Sequence, residues 1–273
     1  MDAVGVVCEF DPLHRGHEAL MRRAGASGRP VVCAMSGNFT QRGGPACAEK
    51  FVRAEMAVRC GADLVVELPT PWAMATAEKF ADGGVGLLSL CGVKTLCFGS
   101  ECGDIDALWT AAEVLLREDI HRAIRAEMDG GLSYAAARQG VLEREAGCSE
   151  LLAQPNNNLA VEYLKAIRRR GLGADAVTVR RKDGGHHGAA SASQIRALLA
   201  AGQAADILSR EMKKGLAPAD PARLEAAMLA RLRLMSETDF APYDGGGEGL
   251  YRRVYRAVQA GGRLEDLLTR ATT

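Results

Sequence analysis

Two histidines bracket a glycine in His14-Arg15-Gly16-His17. Imidazoles placed at the mouth of a helix can donate hydrogen bonds to phosphoryl oxygens as negative charge builds on them. The glycine between them has no side chain to hold a nucleotide away from the backbone. A helix N-terminus adds unpaired N–H groups and the positive end of the helix dipole. A second group, Ser191-Ala192-Ser193-Gln194-Ile195-Arg196, has the same character. It sets two hydroxyls at a helix mouth and an arginine about one turn inside. Taken singly, the first also reads as two surface histidines near a helix start, and the second as a serine N-cap with a surface arginine. Placed on one sheet edge, they describe a site for a triphosphate.

The elements that would bring them together are legible. Apolar runs predict strands over 4–8, 31–35, 64–67 and 95–98, and amphipathic patterns predict helices over 17–26, 49–60 and 73–91. Continuous apolar strands alternating with helices indicate a parallel sheet covered on both faces. Right-handed crossovers then gather the carboxyl ends of the strands at one edge, where ligands bind. Each candidate motif follows a strand: 14–17 the first, Ser36-Gly37-Asn38-Phe39 the second, Glu67-Leu68-Pro69 the third, Gly99-Ser100-Glu101 the fourth. Residues 104–150 read as a helical insertion, 157–170 as a helix capped by Asn156 or Asn157, 176–179 as a fifth strand, and 193–201 as a further helix. From Leu216 the pattern is helical, interrupted by a turn at Asp244-Gly245-Gly246-Gly247. The expected fold is α/β, a Rossmann-like parallel sheet of about five strands with a helical insertion and a helical C-terminal region. The expected division is a nucleotide-binding domain over 1–203 and a helical region over 204–273.

Composition bounds the partners. The 273 residues are 48% hydrophobic and 25% charged, enough for one large α/β domain and a smaller helical piece. A net charge of +0 argues against indiscriminate coating of nucleic acid and leaves room for a local basic patch. The apolar runs are far shorter than the ~20 residues of a membrane span, and no basic leader precedes the first, so a cytoplasmic protein without membrane contact is expected. The eight cysteines lack C-x-x-C spacing and sit largely in apolar segments, as reduced core thiols do. His186-His187 follow Gly184-Gly185 without a ligand set around them. They suggest a loop near the phosphates, and no metal site is expected.

Several charged residues carry two readings. Lys50 and Arg53 lie three apart on one helix face, for phosphate or RNA contact or simply for solvent. Lys165, Arg168, Arg169 and Arg170, with Arg180, Arg181 and Lys182, form the best nucleic-acid patch, although few aromatics interleave with them. Glu9 either orients a histidine or a metal or is a plain strand-end carboxylate.

Blocks in fixed order carry a family resemblance. They are 3–17, 35–43, Lys50-Phe51-Val52-Arg53-Ala54-Glu55-Met56-Ala57, Glu67-Leu68-Pro69, Cys97-Phe98-Gly99-Ser100-Glu101, Pro155-Asn156-Asn157 with Glu162-Tyr163, and Ser191 to Arg196. The sequence resembles the HIGH-type nucleotidyltransferases and, within them, the tRNA(Met) cytidine acetate ligase family. The resemblance implies that ATP and acetate form acetyl-adenylate and that the acetyl group passes to N4 of the wobble cytidine of elongator tRNA(Met). It implies catalytic roles for His14 and His17. It implies ATP contacts at Val7, Cys8, Glu9, Phe10, His14, Gly16, His17, Leu20, Gly99, Asn156, Asn157, Arg181, Ser191 and Ser193, with Asn157 favoured over Asn156. The basic residues Lys50, Arg53, Lys165, Arg168, Arg169 and Arg170 are then the candidate tRNA contacts, and the resemblance places the segment 74–80 near the small acid. A Mg²⁺ requirement is left open. Asp11 stands where the family more often has asparagine, and Arg15 is expected to offset its charge. The family continues past a region like Arg263-Leu264-Glu265-Asp266-Leu267-Leu268 into a basic helical segment, whereas this sequence ends at Thr273. Adenylylation of another small acceptor, and nucleotide binding without turnover, are the alternatives.

Overall fold

The computed structural model describes residues 2–181, 195–197, 221–243 and 249–272. The chain divides into two compact units, Met1–Ala217 and Pro218–Thr273. The boundary expected at 203 lies outside the described residues, as does the turn expected at 245–247.

The first unit is built on five parallel strands: β1 Ala3–Cys8, β2 Val31–Ser36, β3 Leu64–Leu68, β4 Val93–Ser100 and β5 Asp175–Arg180. Every residue of β1 and β2 is buried, which is why both read as unbroken apolar runs rather than as alternating ones. The strand order is β3-β2-β1-β4-β5. The chain starts at β1, steps outward to β2 and β3, then crosses back to β4 on the other side. The crevice between the carboxyl ends of β1 and β4 is therefore the switch point of the sheet.

Alternate side chains of β1 feed two cores. On one face Val4, Val6 and Cys8 pack with Leu20 and Met21 of α1 (Arg15–Gly25) and Met56 and Ala57 of α2 (Lys50–Arg59). On the other face Ala3 and Val7 pack with residues of α4 (Ala77–Leu90) and α9 (Pro155–Arg169) such as Phe80, Leu88, Val161 and Leu164. Gly84 lets α4 lie hard against β1, since a methyl group there would meet both Val7 methyls at 2.8 Å.

Two helical expectations need correction. The helix expected over 73–91 is two, α3 (Thr70–Ala73) and α4, separated by 74–76. The expected cap at Asn156 or Asn157 is also displaced: α9 begins at Pro155 with Gln154 at the N-cap position. Proline in the first turn suits its fixed φ and missing donor. The insertion consists of α5 (Ile105–Val114), α6 (Glu118–Asp129), α7 (Tyr134–Ala146) and α8 (Glu150–Ala153). Its Leu108, Ile120, Ile124, Val141 and Leu142 belong to the same core as α4 and α9. Of the helix expected over 193–201, only the helical residues 195–197 are described.

The second unit is helical: Pro221–Arg233, Glu237–Phe240, Leu250–Gln259 and Leu264–Thr272 surround a small core of Leu229, Phe240, Ala257, Val258 and Leu267. Among the described residues no helix is long and apolar enough to cross a membrane.

Candidate active site

His14 is the N-cap of α1, and its side chain does what a serine or aspartate usually does there. Its Nδ1 accepts from the Gly16 N–H at 3.1 Å, and Nδ1 of His17 accepts from the His14 N–H at 3.4 Å. The result is a reciprocal capping box made of two imidazoles. An accepting Nδ1 places the ring proton of each neutral imidazole on Nε2, so the pair presents donors. The rings stack with centroids 3.9 Å apart, and Phe10 meets His17 edge-on at 5.1 Å. Phe10 is fully buried with φ of 48°, a left-handed backbone that residues with side chains rarely adopt. Burial of its ring among the core residues holds this turn where the chain leaves β1.

Burial, then the nearby Arg181 charge, lowers the His14 pKa to about 4. Burial, then His14 and Arg181, holds His17 well below the ordinary imidazole range. Both rings are thus neutral donors at neutral pH. His14 Nε2 is buried and has no partner among the described residues. An orphaned buried donor beside a cavity calls for an acceptor from outside the protein.

That cavity has a volume of about 790 Å³ and opens at the switch point. Its size falls in the range of nucleotide-sized sites. Of the expected ATP contacts, the structure brings Val7, Cys8, Glu9, Phe10, His14, His17, Leu20, Gly99, Asn156 and Arg181 together on its wall. Ala77 and Phe80, from the segment expected beside the small acid, also line it. Ser191, Ser193, Lys182, His186 and His187 lie outside the described residues. Among the described residues, no group of three or more His, Cys, Asp or Glu side chains could hold a metal ion.

Gly16 does not line the cavity. A methyl group there would lie 2.9 Å from Cε1 of His14 and 3.1 Å from its Nδ1. The glycine therefore guards the position of the His14 ring. Gly16→Ala gains helix propensity yet pushes the imidazole off its place. We expect it to keep the thermal midpoint of the chain while weakening the binding of a nucleoside triphosphate ~10-fold, the cost of losing one hydrogen bond to a charged group. Unchanged affinity in this variant would remove the role given to Gly16.

Asn157, favoured over Asn156 as the nucleotide contact, turns into the protein. It is 3% exposed, and its Oδ1 accepts from the N–H groups of Glu101 (2.9 Å) and Cys102 (3.1 Å). Glu101 answers by accepting from the backbone N–H of Asn156 (3.2 Å) and of Asn157 (2.8 Å), and so caps α9 from just past the end of β4. Asn156 faces the cavity, with its Nδ2 2.6 Å from Glu101 Oε1. Asn157 thus clamps α9 to the end of β4.

Asp11 is buried, and its Oδ1 accepts from the Cys47 N–H at 2.5 Å. The cation beside it is Arg196, whose Nη1 donates to the Asp11 carbonyl at 2.6 Å and lies 3.5 Å from Oδ2. Arg15, expected in that role, is exposed on α1.

The basic residues divide sharply. Arg53 and Lys165 are buried, at 0% and 2% exposure, and cannot meet RNA as expected. Arg53 donates to the carbonyls of Ala48 (3.0 Å), Glu9 (2.6 Å), Ser36 (3.0 Å) and Gly37, tying the ends of β1 and β2 to the loop before α2. Lys165 pairs with the buried Glu162 at 2.8 Å, which also holds Arg138 at 2.5 Å. Arg138 in turn donates to Asn158 Oδ1 on the cavity wall at 2.7 Å. Lys50, Arg168, Arg169 and Arg170 are paired with Glu67, Glu113, Glu78 and Asp82. Arg42, at the tip of the 40–45 turn, also lines the cavity. Sequence reasoning did not single out Arg42, Glu101 as a cap, or the Arg138–Asn158 contact. The i, i+4 spacing of Asn158 and Glu162 was the one available signal for the last.

The whole chain, residues 1–273, matches the HIGH Nucleotidyl Transferase family. It is 44% identical over 222 residues to the tRNA(Met) cytidine acetate ligase of Syntrophotalea carbinolica, covering 76% of this chain and 53% of that one. It is 34% identical over 300 residues to the tRNA(Met) cytidine acetate ligase of Acetivibrio thermocellus, covering 98% of this chain and 72% of that one. The chain belongs to the tRNA(Met) cytidine acetate ligase family. A solved structure of Thermotoga maritima TmcAL, bound with alpha-thio ATP, superposes with a TM-score of 0.89 at 30% identity, covering 100% of this chain and 71% of that one. The apo form of the same protein gives 0.88. The chain thus spans about half of one of these ligases and about seven-tenths of the others. The five-stranded parallel sheet is the fold of a TmcAL structure.

Proposed function

We propose that this chain joins acetate to ATP as acetyl-adenylate, releasing pyrophosphate, and transfers the acetyl group to N4 of the wobble cytidine of elongator tRNA(Met). The observation that carries the first step is the neutral imidazole pair, with His14 Nε2 buried and unpartnered at the cavity. Acetate is already an anion, so no protein nucleophile is needed. One of its oxygens bonds to the α-phosphorus, the bond to the bridging oxygen breaks, and pyrophosphate leaves with the electron pair. The work left to the protein is alignment and stabilisation of charge growing on the phosphoryl oxygens. Neutral Nε2–H donors suit that task because they strengthen as the charge develops. Arg181 and Arg42 bring two guanidinium groups to the same cavity for the outer phosphates. The stem of Arg181 lies against Gly99, where a methyl group would come within 3.2 Å of its Cγ. The apolar wall of Ala77, Phe80 and Leu159 suits a small acid's methyl group.

For the tRNA, the exposed Arg168, Arg169 and Arg170 are the remaining basic run, at the C-terminal end of α9. Phosphates would replace the carboxylates they now hold, and exposed ion pairs cost little to exchange. The test is pyrophosphate exchange into ATP with and without acetate, followed by acetyl transfer to tRNA. Exchange that requires acetate is the expected result. Exchange that requires a phosphorylated acceptor instead, or tight ATP binding with no AMP formed, would overturn the reading.

A further inference from the structure

We propose that Glu9 accepts the proton that the acceptor amine sheds during acyl transfer. The inference rests on the acetyl-adenylate chemistry proposed above. The lone pair of an exocyclic cytidine amine is drawn into its ring, so the amine is a weak nucleophile. When N4 bonds to the acetyl carbonyl carbon it becomes cationic and acidic. Unless a proton is taken away, the adduct falls back to reactants. In the full step the N–C bond forms, the acyl C–O bond to the adenylate phosphate breaks, and AMP leaves with that electron pair. One N4 proton passes to Glu9 Oε2.

The cavity wall offers few other acceptors among the described residues. His14 and His17 spend their Nδ1 lone pairs on backbone N–H groups and show only Nε2–H. Asp11 gives Oδ1 to the Cys47 N–H, and its Oδ2 faces Arg196. The Tyr163 phenol and the Cys8 thiol are driven upward by burial and stay protonated.

Glu9 differs from all of these. Its Oε1 accepts from the Gln41 N–H at 2.6 Å, while its Oε2 has no partner among the described residues. Arg53 pins the Glu9 carbonyl at 2.6 Å, so backbone and side chain are both fixed. The carboxylate is therefore held by one oxygen, on a residue that lines the cavity. Around it stand Cys8 of β1, Asp11, Arg53 of α2, Tyr163 of α9 and Arg196. Burial first, then Asp11, raises its pKa against the opposing Gln41 N–H, Arg53 and Arg196. A raised pKa makes a carboxylate a better proton acceptor near neutrality.

Glu9→Gln separates this role from a structural one. The amide oxygen can still receive the Gln41 N–H, but no carboxylate remains. Acetyl-adenylate is formed on the full chain, and single-turnover transfer to tRNA is followed across pH. In the unaltered chain transfer rises with pH as Glu9 ionises, then levels. In Glu9→Gln the loss in transfer is expected to exceed the loss in acetate-dependent pyrophosphate exchange by ~100-fold, and the rising limb disappears. Glu9→Asp, one methylene shorter, keeps the limb at a reduced rate. Equal losses in both half-reactions, or a rising limb that survives in Glu9→Gln, would overturn the proposal. Absence of acetate-dependent exchange in the unaltered chain would overturn the underlying ligase reading and this inference with it.

Discussion

Replacing His14 with alanine is expected to lower acetate-dependent AMP release ~100-fold or more, because a donor aimed at a developing oxyanion is worth several kcal/mol. The substitution also removes the cap of α1, worth about 1 kcal/mol, so a control must separate the two effects. His14→Asn supplies it. Asparagine is a good N-cap and can accept the Gly16 N–H as the imidazole does. It cannot place a ring Nε2–H in the cavity. We expect His14→Asn to melt near the unaltered chain and to release AMP as slowly as His14→Ala. Unchanged AMP release in either variant would contradict the role given to the imidazole pair.

Arg53→Met is the second substitution with a large expected effect, and the effect falls on stability. The guanidinium serves four carbonyls at once, in the strand ends that frame the cavity. Methionine fills much of the volume and leaves those acceptors unserved. Each carbonyl keeps some hydrogen-bonding capacity elsewhere, so the costs do not simply add. About 3–5 kcal/mol is expected, read as a fall in the urea midpoint of the first transition. Arg53→Lys should recover only part of it, because a single ammonium cannot reproduce the planar fork. A variant that loses less than about 1 kcal/mol yet no longer binds tRNA would return Arg53 to the RNA surface.

The contrast between His14 and Arg53 shows what could be read in advance. The strands β1 and β2 were legible because burial on both sheet faces leaves unbroken apolar runs, and α1 because a glycine-histidine motif sits directly after the first of them. The switch point followed from strand-helix alternation. Charge did not reveal its own burial. Lys50 and Arg53 look equivalent at i, i+3, yet one is paired at the surface with Glu67 and the other is sealed inside. The difference is set by carbonyls 5 to 44 positions away in sequence, which no local pattern encodes. The burial of Asn157 was hidden for the same reason: its partners, Glu101 and Cys102, lie more than 50 positions away, just past the end of β4. The break between α3 and α4 was hidden because Trp72 and Met74 continue an apolar pattern that the backbone does not follow.

The helices between β4 and α9 invite removal by anyone seeking a minimal catalyst, since they contribute no strand and little of the pocket's lining. Arg138 on α7 argues against trimming them. It shares Glu162 with Lys165 and steadies Asn158 at the pocket. Cutting the excursion away would take one of two cations from the buried Glu162, leaving it to Lys165 alone, and Asn158 would lose the guanidinium that holds its Oδ1. Shortening the chain here would therefore require giving Asn158 another partner on α9 first.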